Sequence, residues 1–201
     1  STLVEQIIDN HHAVHGAGES EKFRKLLTLI VRDHLIEDTT TASTTIGGVN
    51  MSISDMSNLP KKVFLSIRQQ YLDELSSLNV PEDVITDKLP LNFQYIGFIL
   101  SAFPEAKIVH LKRDARATCW SIYKNNFSQK GLTFGNSLED LAEFYGLYID
   151  LMDFWHQSFP DKIYDLCYED LTTNQEEETR KLLEYCELDW DENCLNFHTS
   201  K

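Results

Sequence analysis

The stretch Ala106–Phe127, AKIVHLKRDARATCWSIYKNNF, constrains the fold more than any other part of the chain. Ile108-Val109-His110-Leu111 is short, rich in β-branched residues and bounded by polar turn residues, which is the signature of a strand. It runs into the charged turn Lys112-Arg113-Asp114, and a helical pattern follows to about Asn126. Asp114 stands where an N-cap carboxylate would accept the free amide hydrogens of the first turn. Arg113 is thereby placed where a strand leaves its sheet, beside the positive end of a helix. Ser121 lies two turns further on, with the small Ala117 one turn below it on the same face. An arginine fork, a hydroxyl and a helix N-terminus gathered in one region favour a phosphate group. Spacing alone leaves a second reading open, in which Arg113 pairs with Asp114 or a surface carboxylate and Ser121 only decorates the helix.

Beyond this segment, strand-like runs alternate with helical ones. Leu3, Val4, Ile7 and Ile8 share one face of an opening helix, and Phe23, Leu26, Leu27, Ile30 and Val31 form the core stripe of a helix over Glu21–Ile36. Helices are also predicted over Pro60–Leu78, Asn92–Phe103, Leu138–Phe159 and Asn174–Leu188. Val84–Lys88 and Ile163–Tyr168 are predicted strands. The segment His11–Glu19, with three histidines and two glycines, and the Thr- and Ser-rich Asp38–Asp55 read as loops. Along Leu138–Phe159 the stripe Leu141, Phe144, Tyr145, Tyr148, Leu151, Met152 and Trp155 reads as core. This alternation predicts an α/β fold with a central parallel sheet flanked by helices and ligands at the strand C-terminal ends. Lys88, at the end of its strand, would point into that crevice.

Charge narrows the partners. With 18 Lys and Arg against 32 Asp and Glu, the net charge is −14, which argues against nucleic acid and against an anionic membrane surface. An anionic small molecule stays allowed, because Lys107, Lys112, Arg113, Arg116 and Lys124 gather in one stretch of an otherwise acidic chain. The sequence has no apolar run of membrane-spanning length. The four cysteines show no CxxC pair and no zinc-like spacing with histidine, and free thiols in the reducing cytoplasm are expected. No metal site is expected either.

The pattern RDxRxTxxSIYxxNF, with Arg113 eight positions before Ser121, resembles the 3′-phosphate-binding segment of sulfotransferases that use 3′-phosphoadenosine 5′-phosphosulfate (PAPS). The likeness runs from Ser1 to His198 and is nearest to bacterial domains found behind tetratricopeptide repeats, relatives of the tyrosylprotein sulfotransferases. The resemblance implies a P-loop-like sulfotransferase fold over 1–201 as one partial domain, and tetratricopeptide repeats that could precede Ser1. It implies that Ser1 and Thr2 end a phosphate loop of the form (K/R)SG(S/T)T, whose basic residue and Ser-Gly are not in the sequence. The basic segment that covers the nucleotide in the family is likewise not in the sequence after Phe197. By the same likeness Glu19 is the general base, Lys88 contacts the transferring sulfonate, Arg113 and Ser121 hold the 3′-phosphate, and Tyr168 of Tyr168-Glu169-Asp170-Leu171 touches the adenine. The acceptor would carry a hydroxyl, on protein tyrosine, a glycan, a lipid or a small alcohol.

Three other readings remain. A small-molecule kinase would need a GxxxxGK(S/T) loop, which the sequence lacks. A non-catalytic domain of the same fold would bind the product nucleotide 3′-phosphoadenosine 5′-phosphate (PAP) without turnover. A purely helical interaction protein conflicts with the strand–turn–helix grammar of Ile108–Phe127.

Overall fold

Two pairs of parallel strands, each fed by helices, carry the architecture of the computed structural model, which describes residues 1–37, 45–46, 49–50, 59–125 and 133–199. The chain divides into two units, Ser1–Ala106 and Lys107–Lys201.

In the first unit, α1 (Thr2–Asp9) leads into β1 (Val14–Gly16), and α2 (Lys22–Glu37) follows. A short antiparallel pair, β2 (Thr45–Ile46) with β3 (Val49–Asn50), precedes α3 (Lys61–Ser76). Then come β4 (Val84–Thr86), a 3₁₀ turn over Pro90–Tyr95 and α4 (Ile96–Ala102). β1 and β4 pair in parallel with Val14 opposite Val84 and Gly16 opposite Thr86. Parallel neighbours need a crossover, and α2 and α3 lie within it.

The predicted stripe of α2 is the core: Phe23, Leu26, Leu27 and Val31 are buried against Val63, Ile67 and Tyr71 of α3 and Phe98 of α4. The Tyr71 ring meets Phe23 edge-on at 5.7 Å and Phe103 at 5.5 Å, the arrangement that aromatic quadrupoles favour. Three expectations are corrected here. The histidine segment is not all loop, because Val14-His15-Gly16 forms β1, a strand with only one buried apolar residue to announce it. The helix read from Asn92 begins as a 3₁₀ turn and becomes α-helical only at Ile96. β4 stops at Thr86, two residues before Lys88. Most of the predicted loop Asp38–Asp55 lies outside the described residues.

In the second unit, β5 (Ile108–Lys112) leads into α5 (Ala115–Asn125), a 3₁₀ turn over Thr133–Asn136 and the long α6 (Leu138–Ser158). β6 (Ile163–Cys167) then passes directly into α7 (Tyr168–Thr173), followed by α8 (Gln175–Tyr185) and a 3₁₀ segment, Glu192–Thr199. β5 and β6 are parallel over their full length, with Ile108 opposite Ile163 and Lys112 opposite Cys167. Leu166, Leu171, Leu182, Leu183 and Cys194 are fully buried. The Tyr185 hydroxyl ties the strand starts together, donating to the Lys162 carbonyl at 2.7 Å and accepting from the Ile108 amide at 3.2 Å.

Ser137 caps α6, accepting from the Asp140 amide at 3.2 Å. The Ser137 hydroxyl in turn donates to Glu139 Oε2 at 3.1 Å. The aromatic stripe of α6 is less buried than expected. Only Leu141 and Met152 are buried on this helix, while Phe144, Tyr145, Tyr148 and Trp155 are half-buried. All four cysteines are free thiols. Among the described residues, no helix is long and apolar enough to cross a membrane.

Candidate active site

In the first unit, the parallel strands deliver two loops side by side at their C-terminal ends. The Ala17 amide donates to the Thr86 carbonyl at 2.9 Å, and the Lys88 amide donates to the Gly18 carbonyl at 3.1 Å. Between these bonds the ladder ends, because Gly18 turns the chain out of extended geometry with φ = +70°. Gly16 is needed for a different reason: a Cβ there would lie 2.9 Å from the Asp9 side chain, which accepts from the Gly16 amide at 2.6 Å.

This backbone clasp places two predicted residues in contact. Lys88 Nζ donates to Glu19 Oε1 at 2.8 Å. A second carboxylate, Glu5 Oε2 on α1, lies 3.6 Å from the same ammonium. Lys88 and Glu5 have side chains only 14% exposed, against 57% for Glu19. Glu5 Oε1 is buried without a hydrogen-bond partner. Lys88 is thus an inward-held cation with one buried anchor and one solvent-facing partner. Ser1 and Thr2 lie one turn before Glu5, Ser1 at the N-cap and Thr2 as the first helical residue, both exposed. The Ser1 side chain does not cap the helix.

Beside this group, Asp87 accepts from the Tyr71 hydroxyl at 2.5 Å and from Asn92 Nδ2 at 3.5 Å. Burial pushes the Asp87 carboxyl above its ordinary value, with the Tyr71 bond opposing that shift. Burial and the adjacent Asp87 push the Tyr71 hydroxyl up as well. Tyr71→Phe strips the carboxylate of its short donor and is expected to cost about 1–3 kcal/mol at neutral pH. The folded chain already binds the Asp87 proton more tightly than the unfolded chain, so this group's contribution is full in acid. It is lost as pH rises from the ordinary carboxylate range through the raised value. Denaturant unfolding at neutral and acidic pH should therefore show the variant's deficit shrinking in acid, where Asp87 is protonated and needs no donor.

In the second unit, Asp114 caps α5 as expected, its Oδ1 accepting from the Ala117 amide at 2.8 Å. The Asp114 amide is itself taken by Glu169 Oε1 at 3.1 Å, and that bond holds the Glu169 carboxyl below its usual range. Two carboxylates thus occupy amides at this helix mouth. The Arg113 guanidinium lies over the Tyr168 ring, 4.9 Å from the centroid, and forms no ion pair among the described residues. Stacking leaves the in-plane N–H donors of an arginine available to a planar or tetrahedral anion. Ser121 is half-buried on α5. Tyr168 opens α7 rather than ending β6, because the strand ladder closes at Cys167.

Residues 1–192 match the model of the Sulfotransferase family. The chain belongs to that family. It is 35% identical over 204 residues to an uncharacterized protein of Aquifex aeolicus, covering 100% of this chain and 26% of the relative. It is 23% identical over 200 residues to a protein-tyrosine sulfotransferase of Drosophila melanogaster, covering 98% of this chain and 37% of the relative. The chain therefore spans about a quarter to somewhat over a third of these relatives' lengths. Among solved structures, the sulfotransferase domain from the curacin biosynthetic pathway superposes with a TM-score of 0.62 at 15% identity, covering 100% of this chain and 74% of that one. The sulfotransferase domain of the Synechococcus PCC 7002 olefin synthase gives 0.61 at 18%, covering 100% and 73%. These two likenesses establish the sulfotransferase fold.

Of the residues predicted for this sulfotransferase chain, the structure brings Glu19 to Lys88 and Arg113 to Tyr168. Ser121 follows Arg113 on the same strand–helix unit, and Ser1 and Thr2 stand at the start of α1. Glu5 and Asp87 escaped the sequence reading. Glu5 looks like one polar residue on an amphipathic helix, and only its position in the first turn of α1, beside Lys88, gives it meaning. Asp87 carried a weak signal as an acidic residue flanked by strand and lysine.

Proposed function

We propose that this chain is the catalytic region of a sulfotransferase that takes its sulfonate from PAPS and delivers it to a hydroxyl acceptor. The observation that carries the reading is the Glu19–Lys88 pair, held at 2.8 Å at the C-terminal ends of parallel strands. Family and fold support sulfonate transfer in general. Each unit, taken by itself, offers groups suited to a donor of this kind. Arg113 has unused donors, Ser121 adds a hydroxyl, and Ser1 and Thr2 stand at a helix start whose positive end favours phosphate oxygens.

When bound, PAPS supplies an activated sulfonate whose bond to the phosphate oxygen breaks as the acceptor oxygen attacks sulfur. Glu19 takes the acceptor proton, for which its exposed carboxylate needs only hydrogen-bond reach. Lys88, largely withdrawn from water, offsets negative charge building on oxygen. Arg113 and Ser121 bind the 3′-phosphate, and Tyr168, already backed by the Arg113 guanidinium, contacts the adenine. Ser1 and Thr2 contribute to holding the 5′ end.

Calorimetric titration with PAP and with 5′-AMP tests this reading. Tighter binding of PAP by ten-fold or more is expected, on the order of one charge-assisted contact set; equal affinity for the two nucleotides, or binding of neither by the folded chain, would overturn it. Arg113→Ala should weaken PAP binding by roughly 1.5–3 kcal/mol and leave 5′-AMP binding nearly unchanged. Binding of PAP without transfer of sulfonate from PAPS to phenols, alcohols or sugars would instead mark a non-catalytic member of the fold.

A further inference from the structure

The second unit carries a cluster that sulfonate transfer does not use. On β5, His110 lies directly opposite Asp165 of β6 in the parallel register. On α6, Tyr148, Met152 and His156 recur every four residues and so share one stripe, with Met152 buried between the two polar residues. His110 Nδ1 is 2.7 Å from Asp165 Oδ1, and His156 Nε2 is 3.3 Å from the same oxygen. All three donor atoms lie within 4.8 Å of one another.

We propose that His110, His156 and Asp165 form a binding site for a divalent transition metal such as zinc. Two imidazoles and one carboxylate are the donor set that such ions take, with the remaining positions left to water. Metal–nitrogen and metal–oxygen bonds of about 2.0–2.2 Å place neighbouring ligand atoms roughly 3.4 Å apart. The His156–Asp165 contact, at 3.3 Å, is close to that separation, and the His110–Asp165 contact, at 2.7 Å, is shorter and lengthens when an ion enters; His156, with a side chain 37% exposed, is able to adjust. His110 is the rigid ligand, its side chain only 11% exposed.

The surroundings support this use. His110 Nε2 is 2.5 Å from the Tyr148 hydroxyl. Without an ion, Nδ1–H donates to Asp165 Oδ1 and Nε2 accepts from the Tyr148 hydroxyl; an ion would displace the Nδ1 proton, and in the other tautomer Nε2–H donates to the Tyr148 oxygen, the outer-shell arrangement that orients histidine ligands. Lys112 Nζ, 3.4 Å from Asp165 Oδ2, holds the other carboxylate oxygen and turns Oδ1 toward the imidazoles. The same ammonium repels a dication, but at 54% exposure much of its charge is screened. His110 and His156 are far apart in sequence, so no ligand-spacing motif announces the site.

The test is titration of chelator-stripped protein with Zn²⁺ by calorimetry and with Co²⁺ by visible absorption, with thermal melts in parallel. Saturable binding of about one ion per chain and a metal-dependent rise in Tm are expected, since an ion that binds only the folded state stabilises it. Asp165→Asn and the partly exposed His156→Ala should each abolish both signals while the metal-free melts remain cooperative. Tyr148→Phe should weaken binding by about 10–100-fold. His15→Ala, in β1, should leave it unchanged. Absence of saturable binding, or binding that survives His156→Ala and Asp165→Asn, would overturn the site. None of these readouts depends on sulfonate transfer, so the outcome stands apart from the proposed activity.

Discussion

Glu19→Gln is expected to slow sulfonate transfer by about 10²–10⁴-fold while leaving PAP affinity nearly intact. Glutamine keeps the size of the side chain and an oxygen that can still accept from Lys88, but it cannot take a proton from an acceptor hydroxyl. The loss should therefore appear in kcat more than in nucleotide binding. The geometry adds a second consequence. At 2.8 Å, Glu19 and Lys88 touch, leaving no space for an acceptor oxygen between them. For both to engage one oxygen, the pair must part on binding, and Glu19, the exposed member, is the side that moves. Lys88 keeps Glu5 at 3.6 Å when Glu19 swings into solvent, so the withdrawn ammonium is not left without a counter-charge. A Glu19→Asp variant, with its carboxylate drawn back by one methylene, should retain measurable turnover. Measuring PAP release at saturating acceptor would decide the matter, and wild-type turnover by Glu19→Gln would remove Glu19 from the mechanism.

The segments most legible in the sequence are those where local chemistry and tertiary packing agree. Ile108–Leu111 is β-branched and bounded by charges, and it forms β5; Asp114 and Ser137 cap α5 and α6 because a short polar side chain before an apolar periodic run has little else to do. The stripe of α2 is buried because its spacing leaves one face to hide. Legibility failed where a few residues depend on a distant partner. β1 exists because Val84–Thr86 lies beside it, and three residues with one buried valine carry no period of their own. The contact of Lys88 with Glu19 needed the fold, since their alignment follows from one backbone bond between Lys88 and Gly18, 70 residues apart. The polar face of α6 was misread for a related reason. Tyr148 has an aromatic body suited to a core, yet its hydroxyl is spent on His110, which no count of apolar positions reveals.

Lys88→Met is expected to lose about 10²–10³-fold in turnover, and it should also lower the melting temperature, through two separable causes. Methionine fills most of the volume but removes the cation that would stabilise charge on the reacting oxygens. It also leaves Glu5 without its ammonium, although one Glu5 oxygen is already buried and unpaired. A carboxylate so placed and without a counter-charge costs about 1–3 kcal/mol. Pairing the substitution with Glu5→Gln removes the stranded charge, so the double variant should recover most of the lost stability. Turnover should stay at the level of the single variant, because no cation has been restored. Turnover that returns together with stability would mean that Lys88 acts only by supporting the fold around Glu5. A single variant that melts like the wild type would show that Glu5 draws no support from Lys88, in spite of their 3.6 Å separation.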